Sequence, residues 1–366
     1  MSEVIRGAEA RRLAGLQPKI ALITTTVNVP HVLKLYRACS TNVAFFVTGD
    51  MKSDTHAARQ FCSGNMNGCR FYDVVDQDQL DYACHSLIGW NTIGRRNIAL
   101  LEALKWGADI IVTCDDDNIP MSMDYFDRFE AILSKPFSGL AVTPEDHRWW
   151  DVGQLLIPRA PHRGFPYLGH DHQLGFSHIV GAKVGVAAGI CLGDPDIGAV
   201  ERIANQPTVL GVAEPLQSGV AVSTHTVFNS QNTAFTRELA PCFLMVPQFR
   251  RYDDIFASLV AQRVMRELGQ VVHFGQPFVW QQRNPHDLLK DLEAEMWGMK
   301  HVLQFADLLD DMDLPKTQPA KYGEVPTKTP LLVKAIYDKL SSLEWMPAGV
   351  RDLSRAWYDD ICMVMA

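Results

Sequence analysis

What the sequence lacks narrows its class. No CxxC pair occurs among its eight cysteines, which argues against a zinc or dithiol redox motif. A disulfide set among Cys39, Cys62, Cys69 and Cys84 is disfavoured, because the chain is long enough to build a hydrophobic core. The N-terminal residues have no apolar signal core, and no run of ~18 apolar residues occurs. No membrane partner is therefore expected, and a cytoplasmic location is the default.

Positive charge is in short supply. The chain has 34 Lys and Arg against 42 Asp and Glu, a formal net charge of -8. This balance argues against a nucleic-acid partner and against an anionic membrane surface. With 366 residues, 47% of them hydrophobic, the chain can fold as one large globular domain or two modest ones.

Short apolar, β-branched segments predict two strands early in the chain, at residues 20–26 and 43–48. A helix at about 31–39 separates them, after a turn at 28–30. A strand-helix-strand order of this kind predicts a parallel sheet.

The next segment predicts a helix at 94–106, ended by Gly107. A third apolar strand follows at 109–113. Pro120 is expected to prevent further strand pairing, and another helix is predicted at about 122–134.

Farther along, the periodicity predicts fewer strands and more helices. Residues 140–230 are rich in Gly, Pro and His, which favours loops and short strands around a site. A helix at 253–268 precedes a strand at 271–280. One or two helices follow at 286–311, and one or two more at 330–360.

Three adjacent carboxylates, Asp115, Asp116 and Asp117, follow the strand at 109–113 directly. Like charges this close raise one another's pKa. Alternation along a strand puts Asp115 and Asp117 on one face and Asp116 on the other. A hard divalent cation, Mn²⁺ or Mg²⁺, would relieve the repulsion and keep positions open for phosphate oxygens. The alternative is a solvated acidic turn that caps the helix near residue 122.

Five segments in the order of the chain resemble the reversibly glycosylated polypeptides, also called UDP-arabinopyranose mutases. These proteins are relatives of the GT-A glycosyltransferases. The matching segments span about residues 90–300: Arg96-Asn97 with 112–117, Arg163-Gly-Phe-Pro166, 232–239, Arg251-Tyr-Asp253-Asp254, and 275–280.

The resemblance implies a GT-A-like α/β fold, with a mostly parallel sheet flanked by helices and further helices at the C-terminus. It divides the chain into a lead-in at 1–18, a catalytic domain at 19–312, and a linker with helical extension at 313–366. It implies that the Asp run binds the metal that bridges the diphosphate of UDP. Arg163 matches the family arginine associated with self-glycosylation and mutase activity.

The sequence departs from the family at two positions. His170 replaces a second family arginine, which weakens the mutase interpretation. Gln281 replaces a family histidine close to where GT-A enzymes often have a third metal ligand. His286 or His273 could take that role.

Two tandem carboxylates and an arginine are the candidate catalytic residues. Asp253 or Asp254 could act as a base toward an acceptor or orient it. The alternative is an Asp that caps the helix, but a cap needs only one Asp and the sequence has two. Arg163 could fork two phosphate oxygens. A surface charge before a turn is the alternative for Arg163.

A second group of residues is predicted to contact the nucleotide. Arg95 and Arg96 begin a helix, where an anion is favoured. Thr24 and Thr26 end the first strand, where GT-A enzymes meet uracil and ribose, and Asp50 follows the second strand. Asp115 and Asp116 also count among these nucleotide-binding candidates.

Two further motifs carry weaker signals. His170-Asp171-His172 fits a loop beside a sugar pocket better than a zinc site, because no third ligand lies nearby in the sequence. Trp149-Trp150 could stack on a sugar or an acceptor ring, although packing in the core is the default.

The sequence therefore predicts a metal-dependent glycosyltransferase that moves a sugar from a nucleotide sugar, in the first place a UDP-sugar, to a small-molecule acceptor. One alternative is a UDP-sugar mutase that glycosylates itself at Arg163. Another is a non-catalytic nucleotide-sugar-binding subunit. Homo-oligomerisation is left open.

Overall fold

A ten-stranded sheet organises the part of the chain described by the computed structural model, namely residues 15–142, 149–167, 175–284, 286–315 and 328–366. Its strand order is β3-β2-β1-β4-β11-β8-β6-β10-β12-β5, and β7 and β9 form a separate two-stranded sheet. The strands are β1 (Ile20–Thr25), β2 (Ala44–Thr48), β3 (Cys69–Tyr72), β4 (Ile110–Cys114), β5 (Asn118–Pro120), β6 (Phe137–Val142), β7 (Leu156–Ile157), β8 (Phe176–Gly193), β9 (Gly211–Val212), β10 (Val220–Val222), β11 (Asn232–Thr236) and β12 (Gln270–Gln281).

Helices connect the strands and cover the sheet. They are α1 (Leu33–Cys39), α2 (Thr55–Asn65), α3 (Val74–Asp78), α4 (His85–Ile88), α5 (Arg96–Trp106), α6 (Tyr125–Ser134), α7 (Ala199–Ala204), α8 (Glu214–Ser218), α9 (Asp253–Leu268), α10 (Leu288–Asp310), α11 (Lys328–Leu340) and α12 (Val350–Met365). Short 3₁₀ turns lie at Ile93–Arg95, Val152–Leu155, Arg237–Cys242 and Pro247–Tyr252.

The first four strands of the sheet order are parallel, as the strand-helix-strand pattern predicts. β1 pairs in parallel with β2 and β4, and β2 pairs in parallel with β3. Beyond β4 the sheet is mixed, because β11 runs antiparallel to both β4 and β8. The fold class expected from the sequence, an α/β sheet flanked by helices with C-terminal helices, is confirmed.

Alternate residues of β1 divide the core between the two faces of the sheet. Ala21 and Ile23 pack into one apolar cluster with α5, while Ile20 and Leu22 pack into the other with α1 and α6. Burial on both faces explains why this strand is apolar throughout. Gly107 ends α5 in the left-handed conformation, with φ 90°, as expected for a helix stop.

The long strand β8 was not predicted. Its 18 residues contain glycines that favour loops in a sequence, but two of these glycines allow other side chains to approach the backbone. A Cβ at Gly185 would lie 2.2 Å from the amide oxygen of Gln270, and a Cβ at Gly189 would lie 2.4 Å from Asn232 Nδ2. Glycine inside a strand often marks such a close approach.

The expectation that Pro120 prevents strand pairing is wrong. Asn118, Ile119 and Pro120 form β5, the last strand in the sheet order, which pairs antiparallel with β12. An edge strand tolerates proline, because one side of the strand has no ladder to donate to.

Some predictions fall outside the described residues. His170-Asp171-His172, most of the lead-in at 1–18 and most of the linker at 313–330 belong to this group, so the domain division stays a prediction. Within the described ranges, no helix combines the length and the apolar character needed to cross a bilayer.

His273 is buried in the sheet. It lies on β12 opposite Ala221 of β10, with its ring centroid 5.1 Å from that of Phe137. Burial lowers the pKa of His273 to about 4. His273 is not among the residues that line the pocket of the Asp run, and its role as a third metal ligand stays a prediction.

This burial makes the stability of the fold depend on pH. The unfolded chain binds a proton at residue 273 below pH ~6.5, whereas the folded chain does so only near pH 4. The contribution of neutral His273 to the free energy of unfolding is therefore fully present above pH ~6.5 and is lost as the pH falls toward 4. It amounts to at most about 3 kcal/mol. Replacing His273 by Gln should remove this part of the pH dependence. Denaturant unfolding at several pH values from 8 to 4 measures the free energy of unfolding of both proteins. The same change of this free energy with pH in the wild type and in His273→Gln would contradict the prediction.

Candidate active site

A pocket of about 350 Å³ lies beyond the carboxyl ends of β4 and β12. Ligands of open α/β sheets bind at this kind of edge. The residues that line the pocket come from seven chain segments: Thr92, Ile93, Asp115, Asp117, Arg163, Asp196, Ser230, Gln231, Pro247, Arg250, Arg251, Asp253, Asp254, Gln281, Arg283 and His286.

The three carboxylates of the Asp run have different partners. Asp115 and Asp117 line the pocket. Asp116 instead accepts a hydrogen bond from Thr26 Oγ1 at 2.6 Å, as the alternation of side chains predicts. Asp115 Oδ1 accepts one from Arg96 Nη2, also at 2.6 Å. Of the three carboxylates, Asp117 therefore has the weakest hydrogen bonding to stabilise its negative charge.

The environment of Asp117 disfavours its charged form. Burial, followed by the charges of Asp115 and Asp116, raises its pKa to about 6. A divalent cation between Asp115 and Asp117 would remove this cost. Carboxylate oxygens suit Mg²⁺ and Mn²⁺, so the donor set fits the metal that the sequence predicts.

His286 lines the pocket together with Asp115 and Asp117. Its Nδ1 lies 3.1 Å from Oδ2 of Asp291, a residue of α10. Among the described residues, no three His, Cys, Asp or Glu side chains are gathered closely enough to hold a metal ion. The role of His286 as the third ligand therefore stays a prediction.

Gln281 is a second candidate for the third ligand. Its Nε2 donates to Asp117 Oδ1 at 3.5 Å, and its buried Oε1 has no hydrogen-bond partner. Amide oxygens are normal ligands of hard cations. This is the position at which the family that the sequence resembles has a histidine.

Both arginines at the start of α5 are bonded to protein groups. Arg95 donates to the carbonyl oxygens of Gly89 and His85 and stacks on Trp90, 3.7 Å from the ring centroid. Arg96 is buried and donates to Asp115 and to Ser230. Their role as nucleotide ligands stays a prediction, while in the structure Arg95 fixes a loop and Arg96 orients a carboxylate.

The residues predicted to contact the nucleoside at the ends of β1 and β2 have partners in the protein. Asp50 accepts hydrogen bonds from the backbone N–H groups of Met51, Asn91 and Thr92 and so holds the loop before α5. Thr24 is fully buried, and Thr26 donates to Asp116. Their contacts with a nucleoside stay predictions.

Arg163 is the centre of a buried ion cluster. Its guanidinium donates to both carboxylate oxygens of Asp196, at 2.8 and 2.9 Å, and to Asp254 at 2.9 Å. It also donates to the carbonyl oxygen of Arg251. Burial alone would lower its pKa, but Asp196 and Asp254 raise the pKa well above the usual value. Arg163 is thus bonded to protein groups, and its contact with two phosphate oxygens stays a prediction.

The tandem carboxylates divide into a structural and a reactive member. Asp254 is the ion-pair partner of Arg163 and accepts from Ser230 N. Asp253 lines the pocket, and its buried Oδ2 has no hydrogen-bond partner. Burial, and then the charge of Asp254, raises the pKa of Asp253 to about 7. A carboxylate poised near neutral pH in a pocket is suited to proton transfer.

Sequence reasoning missed three residues of the pocket. Asp196 lies far from any motif and matters only through Arg163. Arg283 is buried, and its Nε and Nη1 have no hydrogen-bond partner. Arg250 has a backbone φ of 53°. Arg283, two residues after Gln281, could have been found from its position next to a family motif. Asp196 and Arg250 depend on contacts between distant segments.

The tryptophan pair belongs to the packed interior, which was the default. Trp150 is buried, with its ring centroid 5.2 Å from that of Phe274. Trp149 is half-buried and lies against His225 at 5.1 Å.

No protein-family model and no curated protein matches the chain. Similar solved structures include glucosyl-3-phosphoglycerate synthase from Mycobacterium tuberculosis with Mg²⁺ and UDP, at 12% identity, 85% of this chain, 86% of that chain and a TM-score of 0.39. The same enzyme with Mn²⁺, UDP-glucose and phosphoglyceric acid is 12% identical, with 87% of this chain and 89% of that chain covered and a TM-score of 0.36. A putative glucose-1-phosphate thymidylyltransferase from Bacillus anthracis with sucrose is 10% identical, with 81% of this chain and 97% of that chain covered and a TM-score of 0.30. At this level of similarity these structures do not identify a reaction.

Replacing Asp253 or Asp254 by the neutral residue Asn should change the stability of the fold in opposite directions. Above its pKa of about 7, ionised Asp253 costs the fold free energy, so Asp253→Asn should stabilise the protein at pH 8 by about 1–3 kcal/mol. Asp254→Asn leaves Arg163 short of a partner and should destabilise it by about 3–5 kcal/mol. Denaturant unfolding of both variants at pH 8 measures their free energies of unfolding. A change in the same direction for both variants would contradict the different roles assigned to Asp253 and Asp254.

Proposed function

We propose that this protein is a metal-dependent glycosyltransferase that moves a sugar from a nucleotide sugar to a hydroxyl group of a small acceptor. One observation carries the proposal. A single pocket combines Asp115, which is paired with Arg96, the under-compensated carboxylate of Asp117, and Asp253, a carboxylate without an ion pair whose pKa lies near neutrality. The uridine nucleotide is inferred from the resemblance to the reversibly glycosylated polypeptides.

Asp115, Asp117 and Gln281 would hold Mn²⁺ or Mg²⁺. The metal supplies positive charge to the diphosphate as it leaves. Arg96 keeps Asp115 oriented, and Thr26 keeps Asp116 out of the pocket. Two carboxylates and the side-chain amide of Gln281 would then form the metal site.

Arg283 would bind the diphosphate beside this site. Its Nη2 lies 3.6 Å from Asp196 Oδ1, while Nε and Nη1 have no hydrogen-bond partner. Burial lowers its pKa, so an anion in the pocket would stabilise the charged guanidinium. Two free donors in a planar group match the oxygens of a phosphate.

Asp253 would accept the proton of the acceptor hydroxyl. In the transfer, the bond between the anomeric carbon and the diphosphate oxygen breaks, and the nucleoside diphosphate leaves with the electron pair. The acceptor oxygen forms the new bond to that carbon and gives its proton to Asp253 Oδ2. Asp254 is ion-paired with Arg163, and its charge helps to raise the pKa of Asp253.

The contacts of Arg163 argue against self-glycosylation at this residue. A glycosylated arginine needs an accessible nitrogen with a free electron pair, whereas Arg163 is buried and its pKa is raised. Transfer to a separate acceptor is therefore favoured over the mutase reaction.

Incubation of the purified protein with UDP-sugars and Mn²⁺ tests the proposed function. Free UDP, isomerised UDP-sugar and the intact protein mass are measured together, with and without EDTA. We expect metal-dependent UDP release with no isomer and no added protein mass. A sugar-sized mass gain that disappears in Arg163→Ala, or a new isomer, would establish the mutase reaction instead. UDP binding without any turnover would indicate a non-catalytic subunit.

The Asp run supplies a matched pair of variants. Asp117→Asn should weaken Mn²⁺ binding and UDP release by about 10–100-fold, because it removes a ligand from the pocket. Asp116→Asn should change both by less than about threefold, because an amide can still accept from Thr26. Mn²⁺ titration followed by electron paramagnetic resonance measures the binding. Equal losses in the two variants would contradict the assignment of faces.

The pH profile tests the role of Asp253. A base with a pKa of about 7 must be ionised to act, so kcat should rise with pH through about 7 and level off above it. Asp253→Asn should remove this rise and lower kcat by about 10²–10⁴-fold. An unchanged profile in the variant would exclude Asp253 as the base.

A further inference from the structure

Arg250 is an uncommitted cation at the pocket. Arg163 and Arg251, which line the same pocket, are ion-paired with carboxylates at 2.8–2.9 Å. Arg250 is exposed, and within the described part of the chain its guanidinium has no ion pair and no hydrogen bond. Its charge is therefore available to a molecule in the pocket.

The backbone at Arg250 is held in an unfavourable conformation. Its φ of 53° and ψ of -124° interrupt the 3₁₀ turn at Pro247–Tyr252. Asn91 is the other non-glycine residue with positive φ in the described ranges. Such strain persists where the surroundings fix it, and it concentrates at ligand sites.

The same strained turn links Arg250 to the proposed base. The carbonyl oxygen of Arg250 accepts a hydrogen bond from the N–H group of Asp253. The side chains of Arg250 and Asp253 therefore enter the pocket from one turn. Arg283, the other arginine with free donors, lies near Asp117 and alters its pKa. Arg250 thus shares its turn with the proposed base, and Arg283 lies within electrostatic reach of the Asp run.

We propose that the acceptor carries an anionic group, a carboxylate or a phosphate, which Arg250 binds while Asp253 receives the proton of a nearby hydroxyl. This inference rests on the proposed function. Arg283 and the metal site serve the anionic donor, and Arg250 serves the anionic acceptor. A guanidinium can form two parallel hydrogen bonds to either kind of anion.

Calorimetric titration of the full chain saturated with UDP and Mn²⁺ tests the proposal. The probes are glycerol 3-phosphate and glycerate, with glycerol as the neutral control. We expect both anions to bind and glycerol not to bind. Arg250→Gln should weaken the binding of the anions by at least about tenfold, and Arg250→Lys should weaken it less. The affinity for UDP should not change. Anion binding that Arg250→Gln leaves intact, or a loss of UDP affinity instead, would overturn the proposal.

Arg250→Gly separates the side chain from the backbone strain. Glycine accepts a positive φ, so the melting temperature should stay the same or rise while anion binding is lost. Retained anion binding in this variant would also overturn the proposal. If UDP and Mn²⁺ do not bind at all, the proposed function fails. Titration of the two anions without UDP, against wild type and Arg250→Gln, then still decides whether Arg250 forms an anion site.

Discussion

The ion cluster around Arg163 is the interaction on which the pocket depends. A buried guanidinium is tolerated only when carboxylates and carbonyl oxygens satisfy its donors. Arg163 meets this condition with Asp196 and Asp254 and with the backbone of Arg251. It thereby joins three segments that are distant in the sequence. The wall of the pocket is consequently a single electrostatic unit, in which removing one member leaves another charge unpaired.

The same unit sets the chemistry of its neighbour. Asp254 is ion-paired with Arg163, and its charge helps to raise the pKa of Asp253. Two adjacent aspartates with almost equal burial therefore differ in their electrostatic environment. The Asp run shows a related division, because Arg96 and Thr26 each compensate one carboxylate and Asp117 keeps most of the cost. In both places, uneven pairing of crowded carboxylates leaves one of them available for function.

The sequence predicted the local elements better than the site. The strand that becomes β1, the helix α9 and the Asp run followed from short-range patterns of apolar and polar residues. Strand β8 was missed because its glycines resemble a loop until Gln270 and Asn232 are seen packed against them. Arg95, Arg96 and Asp50 were assigned to the nucleotide because their position at the edge of the sheet was visible. Their partners, such as Ser230 and the N–H groups of Asn91 and Thr92, depend on folding and were not visible.

In the proposed function, Asp115 and Asp117 hold a divalent metal against the diphosphate of a nucleotide sugar. A crystal structure of the protein with UDP and Mn²⁺, with anomalous diffraction at the manganese edge, tests this role. We expect one strong anomalous peak within about 2.5 Å of oxygens of Asp115 and Asp117, with the diphosphate bound to the same ion and to Arg283. A manganese ion held elsewhere, or UDP bound in this pocket without a metal, would contradict it.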